Sequence, residues 1–306
     1  MVKRIFEAVR SDFEKMSARE LLESVTLAEG KAILAEVAAE SAILSNVSSV
    51  ELAAAFGADL VALNAFDVLN PRFLGLPQNL LLGRGPRVLA QVAALGGVPI
   101  GINLEPIDEA IAINEKIKLP QGRIATVENG RRASEMGASF ICLTGNPKTG
   151  VTNQMIIRAV AELKLELGEG VILMAGKMHS AGVTQEMRDH IISERDISEL
   201  AKAGCDVLMV PAPGTVQSVS EETARKWIQF AHDDGLLAMT CLDSAIEGSD
   251  LETIKRIALH SKMAGADIQH IGDAGFNLFP DNIMTYCMTV KGRVHTFRRM
   301  AWSTLR

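Results

Sequence analysis

The 306-residue sequence has no long hydrophobic run. Stretches such as Gly170–Gly176 fall far short of the roughly 18 apolar residues that a membrane span needs, so no membrane partner is expected. The chain opens on Met1-Val2-Lys3-Arg4 and passes into a mixed polar segment, without the basic stretch and apolar core of a secretion signal. Cysteine is scarce. Cys142, Cys205, Cys241 and Cys287 lie far apart, form no CxxC and mostly sit inside apolar runs, as small core residues do. That pattern argues against a disulfide framework and against structural zinc, and a reducing cytoplasm is the expected location. Positive charge is not in excess: 31 Lys and Arg stand against 37 Asp and Glu, a net charge of -6. Broad nucleic-acid binding, which needs a basic face, is therefore not expected. Linkers and low-complexity stretches are also missing, so residues 1–306 read as one domain. Neither HxH nor HExxH occurs, and spacing alone demands no metal.

What is present is a repeat, on a background 48% hydrophobic, ample for a large core. Four phrases recur: Gly57-Ala58-Asp59-Leu60-Val61, Gly137-Ala138-Ser139-Phe140-Ile141, Gly204-Cys205-Asp206-Val207-Leu208 and Gly265-Ala266-Asp267-Ile268. Each follows a helical stretch and leads into a short apolar run. Such a Gly can end a helix in the left-handed region before a buried parallel strand begins. A second set, at Gly30, Gly97, Gly170 and Gly235, interleaves with the first. Merged, they give eight strand starts at intervals of 27 to 40 residues, each interval one βα unit. Eight such units predict an α/β fold of the (β/α)8 TIM-barrel type. Capping-box patterns at Ser48–Glu51, Asp196–Glu199, Ser218–Glu221 and Ser249–Glu252 open helices at the expected offsets. Ser17–Glu20 opens another within an N-terminal helical extension (1–29), read as a lid over the barrel's bottom. Barrel units fill 30–280, and a helical tail (281–306) follows.

In such a barrel the polar residues that end each strand share one mouth. Strand one ends near Glu36, strand two at Asn64 and Asp67, and strand three at Asn103 and Glu105. Strand four gives Thr144 and Asn146, and strand five gives Lys177 and His179. Gly214 and Thr215 follow strand six, Thr240 and Asp243 end strand seven, and His270, Gly272 and Asp273 end strand eight. This density of polar groups points to an enzyme. Lys177, leaving an apolar strand, is a candidate Schiff-base nucleophile, since desolvation frees a lysine amine. It is also a candidate for charge stabilisation of an enolate or a phosphate, or for a plain ion pair with Glu36 or Glu105. His179 and His270 are candidate acid/base groups, His270 with Asp243 or Asp273 nearby. If His270 faces the barrel axis, Gln269 and Ile271 face outward.

Gly-rich loops suggest an anion. Gly272-Asp273-Ala274-Gly275 follows strand eight, and Gly248-Ser249 follows strand seven. Barrels often hold phosphate there on backbone N–H groups. Gly145–Gly150 is a further candidate but lacks P-loop spacing. Val98–Asn103, Met136–Ile141, Thr144-Gly145 with Val151–Gln154, and Val171–Ala175 with His179 together resemble the BtpA-like family of phosphate-binding-type barrels. The resemblance implies the barrel fold and carries over only His179; where an Asp-x-His is expected, this chain reads Lys177-Met178-His179.

The leading expectation is a lyase of aldolase type, or an isomerase, acting on a small phosphorylated sugar or keto acid. Lys177 serves as Schiff base or electrophile, and His179, His270, Asp243 and Glu36 complete the catalytic set. The second expectation is a metal-dependent hydrolase, with a divalent ion held by Glu36, Asp67, His179, Asp243 and His270. The third is a non-catalytic metabolite-binding barrel. No cofactor is required by any motif, and a homo-oligomer is expected.

Overall fold

The computed structural model describes residues 1–77, 86–108, 119–180, 191–272 and 278–306. Eight parallel strands form a closed barrel in chain order. They are β1 (Ala32–Ala38), β2 (Leu60–Asn64), β3 (Ile100–Leu104), β4 (Phe140–Leu143), β5 (Ile172–Gly176), β6 (Val207–Pro211), β7 (Leu237–Leu242) and β8 (Ile268–Gly272). β8 closes on β1 with Leu34 opposite His270 and Glu36 opposite Gly272. Each strand begins two or three residues after the glycine that announced it. Gly137, Gly204 and Gly265 end their helices in the left-handed region, as the repeat requires.

Ten α-helices occur among the described residues: α1 (Arg10–Phe13), α2 (Ala18–Thr26), α3 (Ser49–Ala55), α4 (Val88–Gly96), α5 (Val127–Met136), α6 (Asn153–Leu167), α7 (Glu194–Ala203), α8 (Glu221–Asp233), α9 (Leu251–Ala264) and α10 (Pro280–Ala301). The capping boxes at Ser17 and Ser48 form as expected. Three others shift by one to three residues. Ser193 caps α7 with Asp196 at its third position, Ser220 rather than Ser218 caps α8, and Asp250 rather than Ser249 caps α9. Each of these segments offers adjacent Ser or Asp side chains, and local sequence does not choose between them.

Strand residues alternate between two apolar layers. Ile33, Ala35, Val61, Leu63, Leu208 and Val210 pack outward against the helices. Leu34, Leu60, Ala62, Phe140, Met174, Met209, Met239 and Ile268 fill the interior. Ile5, Phe6, Leu21 and Val25 of the N-terminal extension join this inner layer and seal the barrel's base. Interior Gly101 makes room for the Phe140 ring, which any Cβ there would overlap.

The recurring Gly-x-Asp phrase has a structural explanation. Asp59 Oδ2 accepts the N–H of Ile33 at 3.0 Å, Asp206 Oδ2 that of Leu173 at 2.8 Å, and Asp267 Oδ2 that of Ala238 at 2.9 Å. Each aspartate's own N–H returns a 2.9 Å bond to the carbonyl of the same residue. The entrance of one strand is thus fastened to the next, at the end of the barrel away from the mouth. Each carboxylate also meets a basic side chain: Lys291 at 2.7 Å, Lys164 at 3.4 Å and His232 at 2.8 Å respectively. Asp59 holds Arg299 as well, at 3.1 Å, and Arg299 donates on to the carbonyls of Ile5 and Ala8. The C-terminal helix is therefore a packed part of the fold, tied to β2 and to the N-terminal extension.

Candidate active site

Above the apolar interior layer, alternation carries polar side chains to the inner face: Glu36 on β1, Asn64 on β2, Asn103 on β3 and His270 on β8, with Thr144 and Asp243 just beyond β4 and β7. All but Asn64 are buried. Glu36 is the centre of a hydrogen-bonded chain. Its Oε1 accepts from Asn64 Nδ2 at 2.6 Å, and its Oε2 lies 3.0 Å from His270 Nε2. The Glu36 and His270 side chains are 3% and 0% exposed, so the pair works in a low-dielectric setting. His270 Nδ1 has no hydrogen-bond partner among the described residues. Gly272 is what lets β8 run beside this pair, since a Cβ there would strike the Glu36 backbone. Asn64 also accepts from the N–H of Ala65, which sits in the left-handed region. Such a non-glycine conformation at a strand's carboxyl end is a feature of functional loops.

Lys177 lies one residue past β5 and is 1% exposed. In the eight-strand ring β5 is opposite β1, so the end of β5 stands across the mouth from the end of β1, and Met178 after it joins the inner layer. His179 follows, half-buried. Asp243 is buried and accepts from Ser244 Oγ at 3.2 Å. Ser244 and Ala245 are both left-handed, a second strained turn at the rim.

Glu105 forms a separate unit. Arg123 Nη2 donates to its Oε1 at 2.6 Å, and Thr149 Oγ1 to its Oε2 at 3.4 Å. Burial pushes the Glu105 carboxyl pKa up, and this outweighs the opposing pull of Arg123 and Thr149. Arg123 lies 18 positions away with no local signal, and only the fold brings it to the rim. The Asn103 Oδ1 is buried without a partner among the described residues.

Several expected residues serve local structure. Asn146 Oδ1 accepts from Lys148 N–H and caps a short turn. Asp67 Oδ1 accepts from the N–H groups of Leu69 and Asn70, which folds its loop back. The N–H groups of Gly248 and Ser249 bond to Ala245 and Ile246, and those of Gly214 and Thr215 to Val219 and Ala212. Thr240 faces outward, bonded to Gln269 at 3.0 Å, because it falls on the helix-facing phase of β7. Asp273 and Gly275 lie outside the described residues. Two thiols lie in the interior: Cys241, which the sequence places among the polar groups ending strand seven, and Cys142, which it does not. Burial raises the pKa of Cys142 and of Cys241 well above the usual thiol value, with nearby carboxylates, Glu36 among them, adding to the effect.

Residues 6–306 match a family described as a domain of unknown function (DUF7916). The chain belongs to this family. The barrel that the BtpA-like resemblance implied is present in this DUF7916 member. No curated protein sequence matches it. Among solved structures it is similar to 2,3-dimethylmalate lyase, a PEP mutase/isocitrate lyase superfamily member, with 13% identity and a TM-score of 0.51 over 84% of this chain and 81% of that one. It is also similar to thiamine phosphate pyrophosphorylase from Pyrococcus furiosus, at 11% identity and a TM-score of 0.49 over 86% and 97%. Deoxyribose phosphate aldolase from Aeropyrum pernix gives 13% identity and a TM-score of 0.48 over 89% and 98%. Likeness at these identities is likeness of fold. No helix among the described residues is long and apolar enough to cross a membrane.

The five residues expected to hold a divalent ion do not fit one. Among the described residues no three His, Cys, Asp or Glu side chains gather into a cation site. Asp67 is spent on its own loop, and both Glu36 oxygens are engaged.

Proposed function

We propose that this DUF7916 barrel is a carbon–carbon lyase of aldolase type, acting on a small carbonyl substrate that carries a phosphate or carboxylate. The observation that carries the reading is the Asn64–Glu36–His270 chain on one side of the mouth, its Glu36–His270 pair buried, with buried Lys177 just past the end of the opposite strand. In this reading the Lys177 amine adds to the substrate carbonyl and water leaves, giving an iminium. The iminium takes up the electron pair of the breaking carbon–carbon bond and becomes an enamine. The hydroxyl on the departing carbon loses its proton to a base, and that fragment leaves as a carbonyl compound. His270 is the base assigned here: Glu36 orients its ring through Nε2 and stabilises the imidazolium, and Nδ1 exchanges the proton. Reprotonation of the enamine and hydrolysis then return Lys177 to its free form. Asn103, Thr144 and Asp243 supply polar contacts for substrate on the inner face. The anionic group of the substrate is inferred from the Gly-rich sequence after β8 alone, since the N–H groups of Gly248 and Ser249 after β7 bond within their own turn.

The test is borohydride reduction with a panel of phosphorylated sugars and keto acids, read by intact mass and peptide mapping. The expected result is an adduct on Lys177 that is missing in Lys177→Met. An adduct on another lysine, or none with any member of the panel, overturns the assignment.

A further inference from the structure

The fastening at the barrel's base repeats four times, before β2, β4, β6 and β8, and one of the four is incomplete. Before β4 the phrase carries Ser139 where the others carry Asp59, Asp206 and Asp267. Ser139 N–H still donates to the Ile100 carbonyl at 2.8 Å, as the aspartates do to their partners. Ser139 has no carboxylate with which to accept the N–H of Ile100 in return. The cation is missing as well. Lys164 and His232 stand four and three residues before the glycine that follows their helices, Gly168 and Gly235. On α4, the corresponding helix for β4, the positions four and three before Gly97 are Ala93 and Ala94. Both halves of an ion pair have thus been replaced by small side chains at one corner of the barrel.

A cavity of about 480 Å³ opens at that corner, lined by Ser139, Ala93 and Ala94 together with Arg10, Glu14 and Arg87. Its size falls in the range of small-molecule sites. Its walls also carry surplus positive charge. Arg10 is paired with Glu14 at 2.6 Å, whereas Arg87 makes no hydrogen bond or ion pair among the described residues. The cavity is built from strand entrances, such as Val98 and Pro99, and so lies at the end of the barrel opposite the mouth.

We propose that this cavity is a binding site for a small carboxylate metabolite, separate from the active site, whose carboxylate occupies the place of the missing aspartate. The carboxylate accepts from Ile100 N–H and Ser139 Oγ, as Asp206 accepts from Leu173 N–H, and Arg87 supplies the cation. A ligand there completes the fourth fastening, so its binding stabilises the fold.

The test is calorimetric titration of the full chain with succinate, citrate and inorganic phosphate, at ionic strength matched with potassium chloride. Wild type should bind succinate or citrate saturably. Ser139→Asp, which supplies the carboxylate from the chain itself, should abolish that binding while keeping the wild-type circular dichroism spectrum. Arg87→Ala, at an exposed position, should weaken binding at least tenfold, and Lys177→Ala should bind as wild type does. The proposal is overturned if neither carboxylate binds saturably, or if Ser139→Asp and Arg87→Ala both bind with wild-type affinity. Loss of binding in Lys177→Ala would move the site to the mouth, and binding of phosphate alone would refute the carboxylate class.

Discussion

Replacing Asp59 by Ala tests the account of the barrel's base most severely. The carboxylate accepts from Ile33 N–H, Lys291 Nζ and Arg299 Nε at 3.0, 2.7 and 3.1 Å. Side chains of Asp59 and Lys291 are fully buried, and that of Arg299 is 4% exposed. Removing one member of a buried ion pair leaves an uncompensated charge and costs about 3–5 kcal/mol. Here two cations lose their counter-ion at once, so the upper part of that range is expected, a large share of the ~5–15 kcal/mol that holds a typical protein folded. Lys291→Met removes a charge but keeps the stem and leaves Asp59 on Arg299, so it should cost less than half as much. Arg158→Ala, which breaks an exposed helical pair, should leave the midpoint nearly unchanged. Urea unfolding midpoints with unchanged slopes give the comparison. The reasoning is refuted if Asp59→Ala lies within about 1 kcal/mol of wild type, or if Lys291→Met costs as much as Asp59→Ala.

Other expectations follow from single contacts. Hydrogen bonding to Asp267 raises the His232 pKa above its ordinary 6.5, so this pair's stabilisation is complete below that pH. It is lost as pH rises through the raised folded value, and Asp267→Asn should flatten the decline in urea midpoint across that window. Gly101→Ala should destabilise by at least the ~1–3 kcal/mol of an overpacked core, because the added methyl meets the Phe140 ring and carbonyl; Phe140→Leu should recover only part of the lost melting temperature. Ser17→Ala removes the cap of α2 and should cost ~1 kcal/mol in the same assay, without affecting any activity. His270→Gln should leave a Lys177 borohydride adduct detectable while slowing turnover at least a hundredfold, as loss of a general base does.

The barrel was legible because its signals are local and repeated. A glycine followed by an apolar run of one strand's length recurs eight times, capping patterns mark five of the helix starts, and each needs only neighbours in sequence. Residues on the inner face were legible by the same alternation, which is why Glu36, Asn64 and His270 meet. Their pairing was not, because Glu36 and His270 come together only when the last strand closes on the first. Arg123 escaped notice for a similar reason, since its approach to Glu105 depends on how the loop after β3 returns. The loop residues Asn146, Gly248 and Ser249 misled in the opposite direction. Their composition suits ligand binding and turn formation equally, and hydrogen bonds within the turns decide for the second. The Gly-x-Asp phrase marked strand entrances correctly, but its aspartates looked incidental until their bonds to the preceding strand were seen.

The tie between α10 and Asp59 has a consequence for the order in which the chain can become a protein. During synthesis β1 emerges first, yet its second neighbour, β8, emerges only after residue 267, and the cations that fasten Asp59 arrive at positions 291 and 299. Until β8 has left the ribosome, the nascent chain holds an open sheet with two unpaired edges, and until the last turns of α10 follow, Asp59 lacks its partners. Such edges invite pairing with other chains. A ribosome stalled before β8 has emerged would therefore display a nearly complete barrel that cannot shut, and chaperone engagement should persist until β8 is free to pair with β1.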